Sequence, residues 1–116
     1  MNKVILAGYV STDINTSYTQ NENKMLANFN VACRNGKNTE FIRCVAWEKT
    51  AEFISKYFKK GSYIAIPSGR IQTRKYEDKD GKTVYVTEVI VEEAEFGGKK
   101  EQNEFTPPED TSSLPF

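Results

Sequence analysis

Histidine is absent from this 116-residue chain, and with it go the commonest general base near neutral pH and the usual ligand of catalytic zinc. Only two cysteines occur, Cys33 and Cys44, and no apolar signal segment stands at the N-terminus. The sequence therefore predicts a reduced, cytoplasmic setting in which both are small core residues and not a disulfide. No apolar run approaches the roughly 20 residues that a helix needs to cross a bilayer. Net charge is missing as well, since 16 Lys+Arg cancel 16 Asp+Glu, and bulk charge gives no signature of any partner. There is no phosphate-cradling glycine loop followed by Lys-Ser/Thr, no cysteine cluster at metal spacing, and no histidine to activate a serine or cysteine. Nothing asks for a cofactor or a metal, and the carboxylates Glu92, Glu93 and Glu95 read as solvated charge at a strand end. These gaps disfavour catalysis and leave binding or assembly.

What is present is a succession of short β-rich segments. With 38% hydrophobic residues the chain supports one modest core, hence one domain. Lys3 to Tyr18 reads as a long first strand interrupted at Gly8, Met25 to Arg34 as a second and Thr39 to Glu48 as a third, with Asn35-Gly36-Lys37-Asn38 turning the chain between the last two. From Thr50 to Lys60 the period changes: Ala51, Ile54 and Phe58, and Phe53 and Tyr57, recur at helical spacing, with Gly61 just beyond as a C-cap. Ser62 to Tyr76 and Thr83 to Phe96 are again strands, joined through Asp80-Gly81. The order β-β-β-α-β-β predicts an all-β fold, a five-stranded oligonucleotide/oligosaccharide-binding (OB) barrel with one short helix between its third and fourth strands.

Beyond Phe96 the composition shifts to Gly, Lys, Glu, Gln, Asn, Pro, Thr and Ser, too polar to offset the entropy of ordering. The expected organisation is a barrel domain over residues 1–98 and a disordered tail over 99–116. Residues to Gly98 carry 14 basic and 12 acidic side chains and the tail carries 2 and 4, so the two parts are mildly opposite in sign. Leu114-Pro115-Phe116 is the apolar cluster of that tail.

Strand alternation separates two faces. In the third strand Ile42, Cys44 and Ala46 share one side, while Phe41, Arg43, Val45 and Trp47 share the other. Small apolar residues belong inside, leaving large aromatics beside an arginine on an exposed surface, which is uneconomical unless the surface binds something. In the second strand Phe29, Val31 and Cys33 form the apolar face, and Asn28, Asn30 and Arg34 continue the polar one. The fourth strand adds Arg70, Arg74 and Tyr76, with Lys75 alongside. Cations that follow phosphates and flat rings that stack on bases are what an unpaired nucleic-acid strand requires. Tyr9, Tyr18, Phe53, Tyr57, Phe58, Tyr85 and Phe96 lack that joint support and stay as core or undecided.

Several stretches carry a more specific likeness: Asn2-Lys3-Val4-Ile5-Leu6-Ala7-Gly8, Thr39-Glu40-Phe41-Ile42-Arg43-Cys44-Val45-Ala46-Trp47, Tyr57-Phe58-Lys59-Lys60-Gly61-Ser62, and Thr73-Arg74-Lys75-Tyr76 with Asp80-Gly81. In these segments the chain resembles the bacterial and phage single-stranded DNA-binding protein family. The resemblance implies that Phe41, Trp47 and Tyr76 stack on bases and that Arg43, Lys49, Lys60, Arg74 and Lys75 lie at or near phosphate contacts. It also implies a homotetramer assembled through dimers, a role in replication, recombination and repair, and a tail tip, here Asp110 with Leu114, Pro115 and Phe116, that recruits replication and repair proteins. The loop Asn35 to Asn38 is shorter than in many relatives, and Thr111-Ser112-Ser113 separates Glu109-Asp110 from the apolar tip. The competing expectation is an assembly barrel in which Phe41 and Trp47 are buried between subunits.

Overall fold

A computed structural model of the chain describes residues 1–97. Asp110, Leu114, Pro115 and Phe116 lie outside the described residues. The elements in chain order are β1 (Val4–Val10), β2 (Asn15–Tyr18), β3 (Met25–Asn35), β4 (Asn38–Trp47), α1 (Glu48–Tyr57), β5 (Tyr63–Glu77) and β6 (Thr83–Phe96). The sheet runs β1-β5-β6-β4-β3-β2, and a further pairing of β1 with β3 closes five strands into a barrel. The expected OB barrel with one short helix is therefore present.

The long first strand is divided, and not at Gly8. Val10 faces Val31 while Asn15 faces Asn28, so four residues between these pairs stand against two on β3 and two are looped out. Side-chain hydroxyls fill the gap: the Thr12 Oγ1 accepts from the Asn30 amide at 2.9 Å and the Ser11 Oγ donates to the Asn30 carbonyl at 3.2 Å, beside the Ser11 backbone amide at 2.8 Å. Gly8 has a different task. A Cβ there would sit 2.2 Å from the Ala32 carbonyl oxygen, so β1 can cross β3 this closely only without a side chain. Gly8→Ala is expected to destabilise the fold by about 1–3 kcal/mol or more, read as a lower midpoint in urea unfolding.

The helix also departs from its expected bounds. It starts at Glu48, which takes φ 55 and swings the chain off β4, and it ends at Phe58, which is extended at φ −123, ψ 154. Phe58 leaves the helix because its ring is buried in the core. Gly61 consequently does not cap the helix but turns the chain into β5, with its amide donating to the Val10 carbonyl at 2.8 Å. Ala51 and Ile54 point into the barrel and are fully buried with Phe29, Val31, Cys44, Ile64 and Ile66, so α1 plugs one end. Each large apolar side chain buried this way contributes about 1.5–3 kcal/mol. Both cysteines are free, and burial pushes the Cys44 thiol up to about 12, with nearby Cys33 adding to it. It is a packing residue, as expected.

β5 and β6 form a long hairpin that projects past the barrel, from Ile64 opposite Phe96 to Glu77 opposite Thr83. Asp78 closes it: its Oδ1 accepts from the Asp80 and Lys82 amides, both at 2.9 Å, with Gly81 at φ 79. No helix among the described residues is long and apolar enough to cross a membrane.

Candidate nucleic-acid interface

Register between strands decides what stands beside what on the outer wall. β3 and β4 pair over ten positions, bringing Arg34 beside Thr39, Ala32 beside Phe41, Asn30 beside Arg43 and Leu26 beside Trp47. β4 and β6 run parallel and pair only at Cys44 with Val89 and Val45 with Ile90. That places Arg43 next to Glu88, and β6 then sets Glu88 opposite Gln72 of β5. Because side chains alternate, Arg43, Glu88, Gln72, Arg74 and Tyr76 face outward together.

The aromatic positions on this face are open. Phe41 is 64% exposed, Tyr76 48% and Trp47 38%. Along β4, Phe41 and Trp47 are six residues apart, roughly 20 Å at ordinary strand rise, with Arg43 and Val45 between them. Val45 and Ile90 are buried although they belong to the outer face and not to the core cluster, so the middle of the wall has an apolar floor. Beyond the two β4–β6 pairs the strands splay and leave a cleft of about 530 Å³ lined by Arg43, Arg74, Tyr76, Tyr85, Val86 and Thr87. Phe41 and Trp47 are thus exposed in the single chain, with Arg43 between them along β4.

Glu88 organises the cations. The Arg43 Nε donates to its Oε1 at 3.2 Å, the Arg74 Nε to its Oε2 at 3.0 Å, and the Gln72 amide nitrogen to the same Oε2 at 3.3 Å. Burial by itself would raise the Glu88 carboxyl, but the hydrogen bonds from Arg74 and Arg43, the charge of Arg74 and the Gln72 amide outweigh it and hold the group below the usual carboxylate value. A carboxyl lowered by folding contributes stability above its unfolded value and loses it as pH falls through the folded one. Stability is accordingly expected to drop as pH descends below the ordinary glutamate range, with a smaller drop in Glu88→Gln, measured by urea unfolding at stepped pH.

The other expected site residues are placed less uniformly. Arg34 is exposed on the same face near the β3–β4 turn. Lys49 sits on α1 beside a depression it shares with Thr50, Phe53, Glu93, Ala94 and Glu95. Arg70 lies on the barrel body and not at the hairpin tip, where its Nη1 donates to Glu92 at 3.1 Å. Lys75, between Arg74 and Tyr76, belongs to the reverse face of β5, and its cross-strand partner Tyr85 shares that face, bordering the cleft only as part of the Tyr85–Thr87 stretch of β6. Lys60 lies in the turn between α1 and β5. At the other end of β4, Lys24 contacts Glu22 at 2.8 Å and Glu48 at 4.0 Å beside Trp47, so acids temper the charge there.

Of the undecided aromatics, Phe58 is core and Phe53 packs against it, whereas Tyr9, Tyr18, Tyr57, Tyr85 and Phe96 are exposed. Glu88 is the residue that sequence reasoning missed. The signal for Glu88 was an acid alone in the apolar run Val84 to Val91. Glu92 accepts from Ser68 at 2.8 Å and from Arg70, and no group of three His, Cys, Asp or Glu among the described residues is arranged to hold a metal.

A model of the single-strand binding protein family matches residues 1–97. The chain belongs to the single-strand binding protein family. Among the relatives of this family member, a single-stranded DNA-binding protein of Oceanobacillus iheyensis is 42% identical, the match covering 83% of the chain and 63% of the relative. One from Bacillus cereus is 40% identical over 90% of the chain and 68% of the relative. Single-stranded DNA-binding protein 1 of Streptococcus pyogenes is 46% identical over 79% and 75%. The chain thus spans less than two thirds of the first of these relatives, and somewhat more of the other two.

Proposed function

We propose that the chain binds single-stranded DNA without base preference, laying the strand across the outer wall of β3, β4, β6 and β5. The observation that carries this reading is the exposed trio Phe41, Trp47 and Tyr76 around the Arg43 and Arg74 guanidiniums. Rings stack on any base, and cations follow the phosphates. Arg34 and Lys49 extend the path at its two ends, Arg70 adds positive charge at its border, and Lys75 on the reverse face and Lys60 in the α1–β5 turn take part only where the strand wraps beyond the wall. The role is not catalytic, and it is cytoplasmic, in replication, recombination and repair. Titrating oligo-dT into the protein while following Trp47, its only tryptophan, tests the reading: stacking quenches the signal, and duplex of equal length binds far more weakly. Equal affinity for duplex and single strand would sink it.

The homo-oligomer, a tetramer on the family's pattern, is part of the proposal. Ile5 and Tyr9 support it, being large apolar side chains exposed on β1 at 72% and 57%. Sedimentation equilibrium distinguishes a tetramer from a 13.2 kDa monomer.

Residues 1–98 are proposed as the DNA-binding domain and 99–116 as a tail that recruits replication and repair proteins. Phe116 fills a partner pocket, Leu114 adds apolar contact, Asp110 faces basic residues, and Pro115 limits the entropy lost on docking. Deleting Leu114 to Phe116 is expected to abolish capture of replication and repair proteins in a pull-down, with DNA affinity and thermal stability unchanged. Capture of the same proteins by the truncated chain would return the segment to ordinary tail.

A further inference from the structure

Among the described residues Glu88 is the buried charged side chain, only 3% exposed, and it lies in the middle of a surface proposed to bind a polyanion. On charge alone this is unfavourable, because a carboxylate there subtracts a unit of positive potential where phosphates would pass. The geometry shows what it does instead. Arg43 and Arg74 come from β4 and β5, on either side of β6, and each meets Glu88 through its Nε. A guanidinium has five N–H donors in one plane, so docking by Nε leaves the four on Nη1 and Nη2 for another acceptor. No protein group among the described residues takes a hydrogen bond from those Nη atoms. Both side chains line the cleft that also holds Tyr76, and both remain about half exposed, at 45% and 44%.

We propose that Glu88 is a positioning residue: from beneath the cleft it holds Arg43 and Arg74 by their Nε atoms and presents their Nη edges to the phosphates of a bound single strand. The role rests on the single-strand reading above. A long side chain fixed in advance loses less freedom when it meets its ligand, and a planar fork held at one nitrogen keeps its direction as well as its place. Gln72 completes the arrangement by donating to the same carboxylate oxygen as Arg74, which fixes the carboxylate plane.

The opposing signs of charge and geometry make the role testable. Glu88→Gln keeps the shape and removes the negative charge. If Glu88 served only packing or charge balance, the variant would bind oligo-dT more tightly, since the face gains a net positive charge. As a positioning residue its loss weakens binding on the order of tenfold at constant fold. The plot of log affinity against log salt becomes shallower by about 0.7 for each phosphate that an arginine no longer neutralises. Tighter binding, or weaker binding with an unchanged salt slope, would overturn the role. A second measurement on the wild-type protein covers the case in which the variant does not fold. On adding oligo-dT, the arginine side-chain NMR signals of Nη in Arg43 and Arg74 should shift while their Nε–H signals stay in place and slow in exchange. Nε–H signals that move as the strand binds would show the carboxylate being exchanged for phosphate, and would overturn it equally. Failure of the wild type to bind oligo-dT at all would overturn the single-strand reading itself, which separates the two failures.

Discussion

Replacing Trp47 by alanine is expected to weaken single-stranded DNA binding by about 1–3 kcal/mol, roughly 5- to 150-fold, while the chain stays folded. Trp47 closes β4, outside the core cluster, with its ring 38% exposed. Truncation therefore removes a stacking surface without opening a cavity in the barrel. Tyr76→Ala should cost a similar amount, and here the intact Trp47 still reports binding by its fluorescence. The two rings stand on strands separated by β6, about 10 Å or more apart, so their losses should add in the double variant. Titrations of both variants and of the pair, with thermal unfolding alongside, check this. Normal DNA binding by either variant would assign its ring to the scaffold, and loss of the folded state would assign it to the core.

Arg74→Ala is expected to weaken binding to every sequence alike and to make the log affinity versus log salt slope shallower by about 0.7. Lys75→Ala should do much less. The two are adjacent in sequence but face opposite sides of β5, with Arg74 on the cleft and Lys75 opposite Tyr85 on the reverse. A strand confined to the outer wall passes the first and misses the second. Salt titrations of the two variants against a common dT oligomer separate the cases. Equal losses would mean that DNA wraps the projecting hairpin and meets both of its faces, extending the site beyond the wall. Unchanged slopes in both would remove the hairpin from the DNA path.

Much of this surface was legible in the residue pattern. The alternation of Phe41, Arg43 and Trp47 against Ile42, Cys44 and Ala46 is a property of a pleated strand, and it placed the outer and inner faces of β4 correctly. The Asp-Gly turn and the helical spacing of Ala51 and Ile54 likewise marked the hairpin and the plug. Boundaries were less legible. The break at Ser11 to Ile14 depends on hydroxyls that meet Asn30, and the helix end depends on Phe58 being drawn into the core. Both are contacts with residues distant in the chain.

By itself the sequence determined the order of elements, the turns, the inward and outward faces of each strand and the pairing of aromatic with basic side chains on the outward ones. These follow from local backbone periodicity, which each segment carries alone. Only the tertiary structure decided that Gly8 lets β1 close on β3 and that Glu88 sits buried between two arginines. The reason is register: Arg43 and Glu88 are 45 residues apart in the chain, and they meet because β4 and β6 pair at Cys44 with Val89 and not one residue to either side. A slip of one position would turn the carboxylate into the core and leave both guanidiniums without an anchor.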